Sequence, residues 1–165
     1  MKIFLLLFIL SCIHSQLVAQ HFDKIVGVRM GTSPEFFYEK ENSEEMSSLR
    51  IMGGFRQGGR QLTVMKIIRN YSFEEFPANV SFYYGYGIHT GTIRWNEKTI
   101  DSHGYYWKNK HAPVIGLTAL VGLQYHLTGY PISITCDAKP LFDFWGSSIF
   151  KSHPLNIAFG AIYHF

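Results

Sequence analysis

The residues of this 165-residue chain that could do chemistry are a scattered set of charges: Arg29, Arg50, Arg56, Lys66, Asp137, Lys139 and Asp143, with His89, Gln124 and His126 as further polar candidates. Acyl transfer would need a nucleophile, a histidine base and a carboxylate orienting that base. His126 has Thr128 two positions on and no carboxylate beside it in sequence, so no catalytic residue is assigned. His103 and His111 are eight apart, which matches no metal-ligand spacing, so neither a metal nor a cofactor is expected. Cys136 follows the only other cysteine, Cys12. Its face is shared by Ile134 and Ala138, which reads as an inert thiol in apolar surroundings. Net charge is +3, without the basic stripe that nucleic acid requires.

What positions these charges is a period of two. From Ile132 to Phe144 one face reads Ile132, Ile134, Cys136, Ala138, Phe142, Phe144, and the other Ser133, Thr135, Asp137, Lys139, Leu141, Asp143. Residues 155–165 set Leu155, Ile157, Phe159, Ala161, Tyr163 and Phe165 against Asn156, Ala158, Gly160, Ile162 and His164. Residues 115–127 and 79–89 alternate in the same way. Alternation of this kind marks strands. Runs of 11 to 13 residues suit strands that cross a bilayer, which need about 9–11 residues. The charges sit opposite the greasy face, so the expected barrel is inside out, apolar outward and polar in the lumen.

Four earlier segments complete an all-β, membrane-spanning, antiparallel up-and-down barrel of about eight strands. Residues 24–31 place Arg29 inward, and a short aromatic run covers residues 35–40. Residues 48–56 turn Arg50 and Arg56 inward. Residues 61–71 are phased with Thr63, Met65 and Ile67 outward and Lys66 in the lumen. Tight turns are expected at Gly58-Gly59-Arg60 and Thr128-Gly129-Tyr130, and long loops at residues 90–112 and 145–153. Aromatic residues make up 16% of the chain. They are expected to gather in two girdles: Tyr71, Phe73, Phe76, Tyr125, Tyr130, Tyr163 and Phe165 at one interface, and Trp95, Phe144 and Trp145 at the other.

Residues 1–19 read as a cleaved signal peptide, with Lys2 before an apolar run from Ile3 to Ile13 and Ala19 at the cleavage site. Residues 20–165 then form the barrel domain, exported to the bacterial outer membrane. An eight-stranded barrel is just wide enough to be filled by side chains, and buried charges must pair. The expected lumen is therefore a closed, salt-bridged plug. The alternatives are a narrow pore for small solutes and, further off, a barrel enzyme acting on lipid A. The long loop, with Arg94, Trp95, Tyr105, Tyr106 and Trp107, is the candidate recognition element, because function concentrates on loops held by a rigid scaffold.

The C-terminal Gly160-Ala161-Ile162-Tyr163-His164-Phe165 resembles the β-signal of outer-membrane proteins, with Gly160, Tyr163 and Phe165 matching and Ala158 departing from its polar position. Residues 83–87, 116–125 and 131–140 resemble the small, porin-like outer-membrane barrels of Bacteroidota, narrow barrels of the OmpA/OmpX type. That resemblance implies the barrel assembly machinery as a partner during biogenesis, outer-membrane lipid and lipopolysaccharide as surroundings, and a monomer. It implies no reaction.

Overall fold

The structure is a computed structural model that describes residues 24–42, 46–70, 77, 79–101, 104–145, 151–153 and 156–165. At positions 70, 97–101, 104–108, 151 and 153 it describes only the backbone. The proposed signal peptide lies outside the described residues.

Ten strand segments follow one another: β1 Lys24–Gly31, β2 Glu35–Asn42, β3 Ser47–Arg56, β4 Gly59–Asn70, β5 Val80–Asp101, β6 Gly104–His126, β7 Ile132–Ala138, β8 Leu141–Trp145, β9 Lys151–His153 and β10 Ile157–His164. Each pairs antiparallel with its neighbours, and β5 pairs with β6 so that the sheet closes on itself. The ten segments make eight wall strands. β6 runs against both β7 and β8, which are one strand interrupted at Lys139-Pro140, where proline has no N–H to give the ladder. The wall stays sealed across the break, since Ala119 N–H donates to Pro140 O at 3.1 Å and Lys139 N–H to Asn156 O at 3.0 Å. β9 and β10 are likewise two parts of the last strand. The seam between the chain ends is closed by β1 on β10 and by reciprocal bonds between Lys24 and Phe165, at 3.2 and 2.9 Å. This is the closed antiparallel barrel of eight strands expected from the sequence, and closure leaves no open edge in the wall itself.

The alternation of burial confirms the inside-out pattern. Ile134 (50% exposed), Leu117 (48%) and Phe159 (64%) project from the wall, while Arg29 and Lys139 are 1% and 0% exposed. Water would penalise so continuous an apolar surface. Inside, Ile25, Phe37, Met52, Met65, Ile67, Tyr83, Leu120 and Ile162 form an apolar cluster among the charges. Its two large rings lie over glycines: a Cβ on Gly27 would stand 2.3 Å from the Phe37 ring, and one on Gly122 would stand 2.7 Å from that of Tyr83. Only glycine lets a ring lie this close to the facing strand.

Four expectations are corrected. β4 has the opposite phase: Thr63, Met65 and Ile67 are buried in the lumen and Lys66 is exposed on the outer wall. Both faces of this strand are apolar, so hydrophobicity does not set its phase. Residues 66 and 69 cannot both face inward, and Arg69 takes the lumen because Glu39 and Glu41 receive it there. The turn from β3 to β4 is Gln57-Gly58, with φ of 47° and 68°, the left-handed pair of a two-residue hairpin; Gly59 and Arg60 already belong to β4. Residues 90–101 and 104–112 are strand rather than loop. β5 and β6 stay paired in unbroken register from Val80↔Tyr125 to Asp101↔Gly104. Trp95 follows the inward parity of His89 and Ile93 and is half-buried rather than part of a girdle. Phe144 and Trp145 are exposed at that end, and Tyr125, Tyr130, Tyr163 and Phe165 at the end bearing the termini, while Tyr71, Phe73 and Phe76 lie outside the described residues. Cys136 faces outward, with the parity expected.

Candidate functional site: a charged lumen and a projecting hairpin

Among the described residues, three charge clusters lie within the barrel. In the first, Arg29 on β1 donates from Nε to Asp137 Oδ1 at 2.6 Å and from Nη1 to Glu35 Oε2 at 3.2 Å. The same guanidinium donates to Asn156 Oδ1 at 3.2 Å and to Asn156 O at 2.6 Å. Lys139 pairs with the other oxygen of Glu35, and Tyr83 OH donates to Asp137 Oδ2 at 2.9 Å. One arginine fork thus joins β1, β2, β7 and the start of β10, using the planar geometry that lysine lacks.

In the second, Glu39 on β2 accepts from Arg50 Nε at 2.7 Å and also from Arg69 and Ser48. Arg69 reaches Glu41 Oε1 at 3.0 Å as well. The Arg50 guanidinium, whose Nη2 has no hydrogen-bond partner, lies 4.2 Å from the centroid of the Phe37 ring, a cation–π contact. The third cluster lies away from the termini. There Arg56 grips Asp143 with two bonds, 3.0 and 2.8 Å, and His89 Nε2 lies 2.8 Å from Asp143 Oδ1.

Toward the chain ends the lining includes serine and histidine. Ser133 Oγ sits 3.1 Å from His126 Nδ1 and 3.0 Å from His164 Nε2. Ser81 Oγ lies 3.2 Å from His126 Nε2. Histidine beside serine is the raw material of a nucleophilic site. The buried carboxylates that could complete a triad, Glu35, Glu39, Asp137 and Asp143, are engaged instead by Arg29, Lys139, Arg50, Arg69, Tyr83, Arg56 and His89.

Of the expected lumen charges, Arg29, Arg50, Arg56, Asp137, Lys139 and Asp143 are brought together inside and Lys66 is not. Gln124 and His89 are buried there too, and His126 is half-buried. Glu35, Glu39 and Arg69 went unread. The two glutamates share a parity in the run Glu35-Phe36-Phe37-Tyr38-Glu39-Lys40, a signal hidden by the aromatic residues between them.

The second feature is the extension of β5 and β6. The last bond from the wall to β5 among the described residues is Arg94 N–H to Gln57 O, 3.1 Å. Beyond it the two strands pair with each other through Asp101↔Gly104, a projection of roughly 20 Å at about 3.4 Å per residue. At its root, Gln57, Gly58, Arg94, Trp95, Asn96, Asn109 and His111 line a polar hollow of about 390 Å³. Tyr105, Tyr106 and Trp107 lie on the projecting part of β6, opposite Ile100, Thr99 and Lys98; their side chains lie outside the described ones.

No protein-family model matches the chain, and no curated protein matches it. Among solved structures, Neisserial surface protein A aligns with a TM-score of 0.51 at 11% identity, over 86% of this chain and 93% of that one. The N-terminal β-barrel domain of Pseudomonas aeruginosa OprF aligns with a TM-score of 0.46 at 13% identity, over 88% and 100%. The likeness to the neisserial protein is one of fold.

Proposed function

We propose that this chain is a bacterial outer-membrane barrel shut by its own lumen, which presents the β5–β6 hairpin outside the cell as a recognition element. The observation that carries this reading is the combination of an apolar outer wall with a lumen crossed by paired charges. Only lipid makes that outer surface favourable, and the likeness in fold to a protein named as a surface protein supports the same placement. With both chain ends periplasmic, the connections after β1, β3, β5 and β8 face outward, so the hairpin projects from the cell. Gly160, Tyr163 and Phe165 would serve the assembly machinery as a β-signal, and the barrel would work as a monomer without catalysis or cofactor. Its place among the small barrels of Bacteroidota rests on the sequence stretches that resemble them.

Arg94 and His111 beside Trp95 and two asparagines suit a sugar carrying acidic groups, through charge-assisted bonds and ring stacking. Replacing residues 94–111 by a two-residue Asn-Gly turn, which removes Arg94, Trp95 and His111 together with the projection, should leave the barrel folded, read as an unchanged shift in gel mobility between unboiled and boiled samples. Binding of a sulfated glycan such as heparin, measured by surface plasmon resonance, should fall at least tenfold. Undiminished binding by a folded, trimmed barrel removes the hairpin from the proposal.

A further inference from the structure

The reversed phase of β4 puts Lys66 on the outer wall, where a lysine in contact with lipid costs about 2–4 kcal/mol at the bilayer midplane and about 0–1 near an interface. Its neighbours explain how it is accommodated. One row of paired residues runs around the wall through Lys24↔Lys40, Lys40↔Leu49, Leu49↔Lys66, Lys66↔Tyr86 and Tyr86↔Ala119. Its three lysines are all exposed. Because the strands are staggered, the row climbs away from the terminal rim. Lys24 opens β1, Lys40 is two residues from the end of β2, Lys66 four from the end of β4, and Ala119 seven from the end of β6.

Two recesses lie along this climb and share Leu49 and Lys66. The lower one, about 430 Å³, has the polar and charged residues Lys40, Glu41, Asn42 and Ser47 around it. The upper one, about 580 Å³, is a greasy groove that crosses the strands past Val64, Ile88 and Leu117 to Phe142. At about 4.8 Å per strand, the four steps from β3 to β8 span roughly 19 Å. With strands tilted by about 40°, that is a rise of roughly 12 Å along the barrel axis, most of the depth of one leaflet of the ~30 Å hydrocarbon core. A cationic, hydrogen-bonding mouth at the rim, continuous with an apolar channel rising into the core, has the polarity of a phospholipid.

We propose that this is a binding site for one anionic glycerophospholipid of the periplasmic leaflet, with its phosphate between Lys40 and Lys66 and an acyl chain in the groove. The inference rests on the membrane reading above. Lys24 adds positive potential at the rim. Glu41 does not oppose the charge, because its carboxylate accepts from Arg69 at 3.0 Å.

The test is native mass spectrometry of the full barrel in detergent, titrated with phosphatidylglycerol or with phosphatidylcholine. One retained phosphatidylglycerol per barrel is expected, at least tenfold favoured over phosphatidylcholine. Lys40→Gln with Lys66→Gln removes the charge, and Ala119→Trp fills the groove without touching it; each should lower phosphatidylglycerol retention at least tenfold. Equal retention of the two lipids, or retention at the wild-type level in either variant, overturns the site. The mobility shift between unboiled and boiled samples keeps the two readings apart. A wild-type chain without the shift, and without insertion into vesicles, fails as a membrane barrel. A shifted chain that does not discriminate between the lipids fails only as this lipid site.

Discussion

Replacing Glu39 by alanine is expected to destabilise the barrel by about 3–5 kcal/mol. This carboxylate is fully buried and is the shared acceptor of Arg50, Arg69 and Ser48. Removing it leaves two guanidiniums facing each other across a space of low dielectric, which adds repulsion to the loss of pairing. The Phe37 ring offsets little of that, a cation–π contact being worth about 0.5–2 kcal/mol. Urea unfolding of the barrel in detergent, followed by tryptophan fluorescence, gives the change in midpoint. If the cost comes from stranded charge, Glu39→Leu combined with Arg50→Met and Arg69→Met recovers most of it, because a buried ion pair replaced by apolar groups of similar volume is often neutral. A triple variant as unstable as the single one assigns the loss to packing instead.

The second large effect is expected from Arg29→Met. Arg29 makes four bonds to three residues on different parts of the wall, including Asn156 O just ahead of β10. Its loss leaves Asp137 with the Tyr83 hydroxyl and Glu35 with Lys139, so the carboxylates are not wholly stranded. The expected cost is again about 3–5 kcal/mol, but with a different signature. Arg29→Lys keeps the charge and loses the fork, and should recover no more than roughly half, since bidentate geometry carries much of the energy. Full recovery by lysine would reduce the cluster to a matter of net charge. Hydrogen exchange adds a spatial check, because protection should fall first at Asn156 and along β10 beside β7.

The lumen charges differ in how far the sequence reveals them. Arg29, Asp137, Lys139 and Asp143 stand opposite well-marked apolar positions, so a period of two is enough to send them inward. Glu35 and Glu39 obey the same period. Phe36, Phe37 and Tyr38 fill both faces between them, however, and no apolar stripe shows which face is which. β4 fails for the same reason, with Leu62, Val64 and Ile68 on one face and Met65 and Ile67 on the other. Its phase follows from partners on β2, contacts that no local pattern contains. The chain from Thr90 to Ala112 reads as a loop because strand alternation fades there. The paired backbones of β5 and β6 nevertheless carry the strands on beyond the wall. The wall itself was legible because an apolar outer face and a charged lumen impose opposite demands on alternate residues.

The claim that most of this rests on is that the barrel lies in a membrane with its lumen shut. It is tested most directly by planar-bilayer recording of the wild-type chain, with insertion verified by the mobility shift between unboiled and boiled samples. Arg29, Arg50, Arg56, Arg69 and Lys139 meet Glu35, Glu39, Asp137 and Asp143 across the lumen, and the apolar cluster fills space between them. The expected result is a barrel that inserts and stays electrically silent; steady ohmic current steps from the inserted wild-type chain would contradict it.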